Sequence, residues 1–106
     1  MNTAWIVEDS ATLNLQLTRL LQELGYEVQQ GDVAQLRLPL VPAPALICVA
    51  VVGAGYNGFK LLRQLAAVHH CPRLLLTTSG RSTDFSWGLR AGATAVMAWP
   101  PTRDSL

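Results

Sequence analysis

The chain has 106 residues, half of them hydrophobic, only 14% charged, with a formal net charge of +1. That length carries one domain, the hydrophobicity excludes a disordered tail, and the near-neutral charge excludes a polybasic nucleic-acid footprint. Soluble domains carry about 25% charged residues, so the shortfall needs a cause: a membrane segment, a large core, or a surface awaiting cover.

The opening residues MNTAWIVEDS lack the basic start and apolar core of a signal peptide, so a cytoplasmic protein is expected. Thr3 to Val7 reads as a short buried strand, and Asp9 or Ser10 can cap the helix that follows. On that helix Leu13, Leu17, Leu20, Leu21 and Leu24 recur at helical spacing. Gly25, tolerant of the left-handed conformation, stops it. Tyr26 to Gln30 is a weaker second strand, and Asp32 can cap a short second helix over Val33 to Leu38.

The longest uncharged stretch, Leu38 to Phe59, is long enough to span a bilayer. Its contents argue against that. Pro39, Pro42 and Pro44 crowd its start, and Gly53, Gly55 and Gly58 crowd its end. Only Ala45 to Val52 is uninterrupted, which is strand length, and an all-apolar strand belongs in the middle of a parallel sheet. Gly53 to Gly58 is expected to be a loop, and Phe59 to Val68 a helix with Phe59, Leu62 and Leu65 on one face. Arg73 to Thr78 is a fourth strand. Ser82 or Thr83 can cap a helix reaching Ala91, which Gly92 ends. Ala95 to Trp99 is a fifth strand, stopped by Pro100 and Pro101. Alternating strands and helices predict an α/β domain with a parallel sheet.

Two motifs invite a chemical reading. Gly53, Gly55 and Gly58 fit G-x-G-x-x-G between a predicted strand and a helix, the setting of a dinucleotide site. That fingerprint expects an acidic residue about twenty positions later to hold a ribose, and none occurs between Asp32 and Asp84. The plainer reading is a tight turn. His69, His70 and Cys71 are adjacent, but neighbours on a helix diverge and no fourth ligand is spaced for zinc, so no metal site is expected. Cys48 and Cys71 are expected to be reduced thiols.

In this order the elements resemble the receiver (CheY-like) domain of two-component response regulators over nearly the whole chain. The resemblance runs through IVEDS (Ile6 to Ser10), LTRLLQELGYEV (Leu17 to Val28) and PALICVAVVGAGYNGFKLLRQL (Pro44 to Leu65), where Asn57-Gly58 stands for the usual Asp-Gly. It continues through PRLLLTT (Pro72 to Thr78) and DFSWGLRAGATAVMAWPP (Asp84 to Pro101). It implies a flavodoxin-like, doubly wound, five-stranded parallel sheet of order 2-1-3-4-5, and a cis bond between Trp99 and Pro100. Between Gly25 and Pro44 the chain is shorter than the family's usual length.

The departures matter more for function. The family phosphorylates an aspartate at the end of the third strand; counting back from Gly58, that position is Ala50. The family's lysine at the end of the fifth strand is matched by Trp99. Glu8 and Asp9 stand where the family's magnesium-binding pair would be, and Thr77 at its functional threonine. Two carboxylates without the third ligand hold magnesium weakly at most. The resemblance therefore implies a degenerate phosphorylation site made of Glu8, Asp9, Ala50, Thr77 and Trp99. The plainer reading keeps Asp9 as a helix cap, Glu8 as its solvated neighbour and Thr77 as a strand end. Trp99 could fill the space of the missing charges.

A receiver signals by offering one face to a partner or a second copy. Phe85 and Trp87 stand where the family commonly has polar residues, so with Trp99 they are candidate interface residues, or else core. PPTRDSL ends where the family's last helix would begin, so that helix is expected to be missing or truncated and residues 1–106 to open a longer regulatory protein with an output domain downstream. The expected function is a phosphorylation-independent, non-enzymatic signalling module in bacterial-type two-component regulation. It would act through a protein partner or dimerisation, without cofactor, nucleic-acid contact or membrane. The competing function is a nucleotide or small-molecule binder, using the Gly53–Gly58 loop or the vacated acidic pocket.

Overall fold

Short apolar runs alternate with amphipathic helices along the computed structural model, which describes residues 2–8, 10–32, 35–50, 52–53, 56–77 and 82–98. In chain order these are β1 (Thr3–Val7), α1 (Ala11–Glu23), β2 (Glu27–Gln30), β3 (Leu46–Ala50), β4 (Val52–Gly53), β5 (Tyr56–Asn57), α2 (Gly58–Val68), β6 (Arg73–Thr77), α3 (Ser82–Ala91) and β7 (Ala95–Ala98). Five strands form one parallel sheet of order β2-β1-β3-β6-β7. Counting those five alone gives the expected 2-1-3-4-5.

The sheet is buried on both faces, which is why β3 is apolar at every position. Side chains alternate across it. Leu46 and Cys48 join Ala4, Ile6, Leu74 and Leu76 under Leu17 and Leu21 of α1. Ile47 and Val49 join Val7 and Leu75 under Leu61, Leu62 and Leu65 of α2 and Ala91 of α3. Gly88 lets α3 lie close on the sheet, because a Cβ there would stand 2.6 Å from a Leu75 methyl. Of the leucines expected on α1, Leu17 and Leu21 are buried, whereas Leu24 is the exposed C-cap. Helices α1 and α3 both end in the same hydrogen-bonded closure on a glycine. Gly25 N–H bonds Gln22 O and Tyr26 N–H bonds Leu21 O; Gly92 N–H bonds Leu89 O and Ala93 N–H bonds Gly88 O.

Two expected elements are corrected. No helix forms over the described residues 35–38 of the expected Val33–Leu38 helix; Gln35 N–H bonds Asp32 O, and an irregular strap with several bends follows. Pro39, Pro42 and Pro44 withhold donors and push the preceding residues out of the helical region. The leucines of the strap reach the core anyway: Leu40 is fully in it, and Leu36 and Leu38 pack against it. The Trp5 indole N–H bonds Pro42 O at 2.8 Å, and Ala45 N–H bonds Thr3 O at 2.7 Å. The peptide bonds before Pro39 and Pro42 are cis. Second, the Gly53–Gly58 segment is not an open loop. Val52 pairs with Asn57 and Gly53 with Tyr56 in an antiparallel hairpin, and Gly58 is already the first residue of α2. The apolar run of Ala45–Val52 thus divides between β3 and β4. Position 99 of the expected last strand, the Trp99–Pro100 bond and the region of the expected last helix lie outside the described residues.

The third anchor of the strap is titratable. Leu40 N–H donates to His69 Nε2 at 2.9 Å in a buried position. That nitrogen accepts only while unprotonated. Burial, and secondarily the neighbouring His70, lower the His69 pKa below its ordinary 6.5. The unfolded chain therefore takes up the proton first as pH falls. The His69 contribution is whole above about pH 6.5 and is lost as the pH drops toward the lower folded value. The urea midpoint is expected to fall between pH 7 and pH 5. His69→Gln, whose amide oxygen can accept the same bond, should flatten that slope; an unchanged slope would remove His69 as its source.

Candidate functional site

Parallel strands bring their C-terminal ends to one edge. β1 ends at Val7, followed by Glu8; β3 ends at Ala50; β6 ends at Thr77. Val7 lies opposite Val49, Ala50 opposite Leu76, and Thr77 opposite Ala98, so the ends of adjacent strands are level. Strand order reverses between β1 and β3, and in open α/β sheets ligands bind in the crevice at such a point. Three of the five site residues expected from sequence, Glu8, Ala50 and Thr77, thus come to one edge on three adjacent strands. Asp9 and Trp99 lie outside the described residues.

What the three can do chemically is limited. Ala50 is 7% exposed and brings a methyl group, with no nucleophile and no proton to exchange. Thr77 is buried at 2% exposure. Glu8 is half-buried and tied into the start of α1. Its Oε1 accepts the Ser10 N–H at 2.9 Å, and its backbone O accepts from Asn14 Nδ2 at 3.2 Å. Ser10 is the N-cap, its hydroxyl accepting the Leu13 N–H. Glu8 is therefore a working part of the helix cap rather than a solvated neighbour. A cavity of about 470 Å³ opens beside it, between Ala11, Asn14, Leu15 and Gln30.

The remaining candidates are spread elsewhere. Gly53 and Gly58 belong to the hairpin and to α2, while Gly55 is outside the described residues. A phosphate cradle needs backbone amides held open; here Val52–Gly53 and Tyr56–Asn57 pair with one another. Among the described residues no group of three His, Cys, Asp or Glu could hold a metal ion, and no helix is long and apolar enough to cross a membrane. Both cysteines are free thiols. Burial pushes the Cys48 thiol up to about 12, so it stays protonated and unreactive. Phe85 is half-buried, whereas Trp87 is 57% exposed and meets Phe59 edge to face, ring centres 6.2 Å apart.

Sequence reading missed Arg73. Its Nε donates to Gly92 O at 2.7 Å, and its Nη1 donates to His69 O and Cys71 O, both at 2.9 Å. These acceptors are backbone carbonyls, which leave no side-chain signature in the sequence. They lie at the opposite end of the sheet, so Arg73 is structural.

No protein-family model matches the chain. Two relatives do. The chain is 31% identical to protein PilH of Pseudomonas aeruginosa over 106 residues, covering 95% of this chain and 88% of PilH. It is 33% identical to the transcriptional regulatory protein CreB of Escherichia coli over 104 residues, covering 92% of this chain but only 44% of CreB. Among solved structures, a response regulator from Burkholderia pseudomallei carrying a phosphorylated aspartic acid superposes with a TM-score of 0.87 at 21% identity. That match covers 99% of this chain and 64% of that one, and it speaks for the fold alone.

Proposed function

The chain belongs to the receiver-domain family of two-component response regulators, and from that premise we propose that it signals without phosphorylation, by binding a protein partner. The observation that carries the reading is Ala50. It ends β3 at the switch point, buried, where the family resemblance puts the phospho-acceptor aspartate. Phosphoryl transfer needs an activated nucleophile, and a methyl group cannot supply one. The engagement of Glu8 in the α1 cap gives that carboxylate a reason to persist without magnesium. PilH is matched over most of its length and CreB over less than half, so CreB carries further sequence beyond the part this chain resembles.

The test is titration with acetyl phosphate or beryllofluoride, with and without magnesium, followed by amide NMR. The expected result is no saturable shift at Glu8, Ala50 or Thr77. Saturable, magnesium-dependent shifts at those amides would show a live site and overturn the reading.

A further inference from the structure

Among the described residues a groove on α2 and α3 gathers basic and aromatic side chains. A groove of about 380 Å³ lies between α2 and α3, lined by Phe59, Lys60, Arg63, Trp87 and Arg90. Helical spacing assembles it. On α2, Arg63 lies four residues from Phe59 and three from Lys60, and on α3, Arg90 lies three from Trp87. Three of the eight lysines and arginines of the chain thus surround one aromatic pair. Lys60, Arg63, Trp87 and Arg90 are all exposed. Among the described residues neither Arg63 nor Arg90 has a hydrogen-bond or ion-pair partner, and no carboxylate lines the groove. The Phe59–Trp87 contact is edge to face, at 73° between ring planes, so it holds the indole in place while leaving more than half of it open.

Exposed Trp and Arg together are the composition of a binding hot spot, and two arginines without an ion-pair partner among the described residues, Arg63 and Arg90, select an anionic partner. We infer that this groove docks an acidic segment of a protein partner, one aromatic or apolar side chain stacking on Trp87 between carboxylates paired to Arg63 and Arg90. The inference deepens the reading of the chain as a protein-contact module and gives the partner its chemistry. It does not depend on the site at Ala50, so each can fail separately.

The probe is a random glutamate–tyrosine copolymer, with polyglutamate and ATP as controls, at physiological salt. The copolymer is expected to bind, with amide shifts centred on residues 59–63 and 87–90. Polyglutamate, lacking the anchor, should bind about tenfold more weakly. Trp87→Ala and the double variant Arg63→Glu/Arg90→Glu should each lose about tenfold or more in affinity. All three positions are exposed, so the far-ultraviolet circular dichroism and melting of the variants should match the parent. Four results would overturn the inference: no binding of the copolymer; binding that survives those substitutions; equal binding of polyglutamate or tighter binding of ATP; or a concentration-dependent mass in ultracentrifugation that Trp87→Ala abolishes, which would assign the groove to a second copy. A live phosphorylation site alongside groove binding would leave this inference standing.

Discussion

Arg73→Met is expected to lower the stability of the fold by about 3 kcal/mol. One guanidinium satisfies three carbonyls: His69 O at the end of α2, Cys71 O in the connector, and Gly92 O at the end of α3. The backbone of the same residue joins β6 to β7, its N–H donating to Thr94 Oγ1 and its O accepting from Thr94 N–H and from the Thr94 hydroxyl. Bonds from a charged donor are worth roughly 1.5–3 kcal/mol each, and half-exposure reduces the sum. Methionine keeps the packing of the stem and removes the donors. In a domain of this size the loss should lower Tm by about 13 °C. Arg73→Lys should recover only part of it, because an ammonium lacks the planar fork that reaches three acceptors. A melting temperature for Arg73→Met within a degree or two of the parent would show that water replaces these bonds without cost. Groove binding should be unaffected, since Arg73 does not line the groove.

The second large effect is a comparison of two glycines with one conformation. Gly25 and Gly92 both close helices at positive φ, +95° and +115°. A Cβ at Gly25 would meet nothing within 4 Å, so Gly25→Ala isolates the backbone cost, about 1 kcal/mol. A Cβ at Gly92 would stand 2.7 Å from the Ala66 Cβ on α2. That neighbour is a short side chain fixed on a helix and cannot swing aside. Gly92 O is also an acceptor of Arg73. Gly92→Ala should therefore cost about 3 kcal/mol, the excess being the displacement of α3 from α2. The double variant Gly92→Ala/Ala66→Gly should recover much of the excess and none of the backbone part. Equal costs for the two glycines in urea denaturation would refute the steric account.

Helix ends and sheet strands were legible because their signals are local. The leucine spacing of α1, the two closing glycines and the all-apolar β3 each follow from periodicity and from the φ that only glycine adopts at low cost. A second helix is expected over Val33 to Leu38 because Asp32 looks like a cap. Three prolines within six residues outweigh that cap, and the strap buries its leucines without a helix. The hairpin at Val52–Asn57 leaves almost no trace in the sequence, because two residues per strand give no alternation to detect.

By itself, the sequence determined the order of the five sheet strands, the parallel α/β class, and the identity of Ala50 where the family's acceptor would stand. A missing functional group is a matter of composition and needs no coordinates. Tertiary structure alone decided what the retained and surplus groups do. Glu8 is a cap partner, His69 anchors a strap 29 residues away, Arg73 clamps three carbonyls, and residues 24 or more apart on α2 and α3 converge on one basic, aromatic groove. Those roles depend on through-space neighbours, many of them backbone carbonyls and amides that every residue carries. No residue type or spacing marks them until the chain has folded.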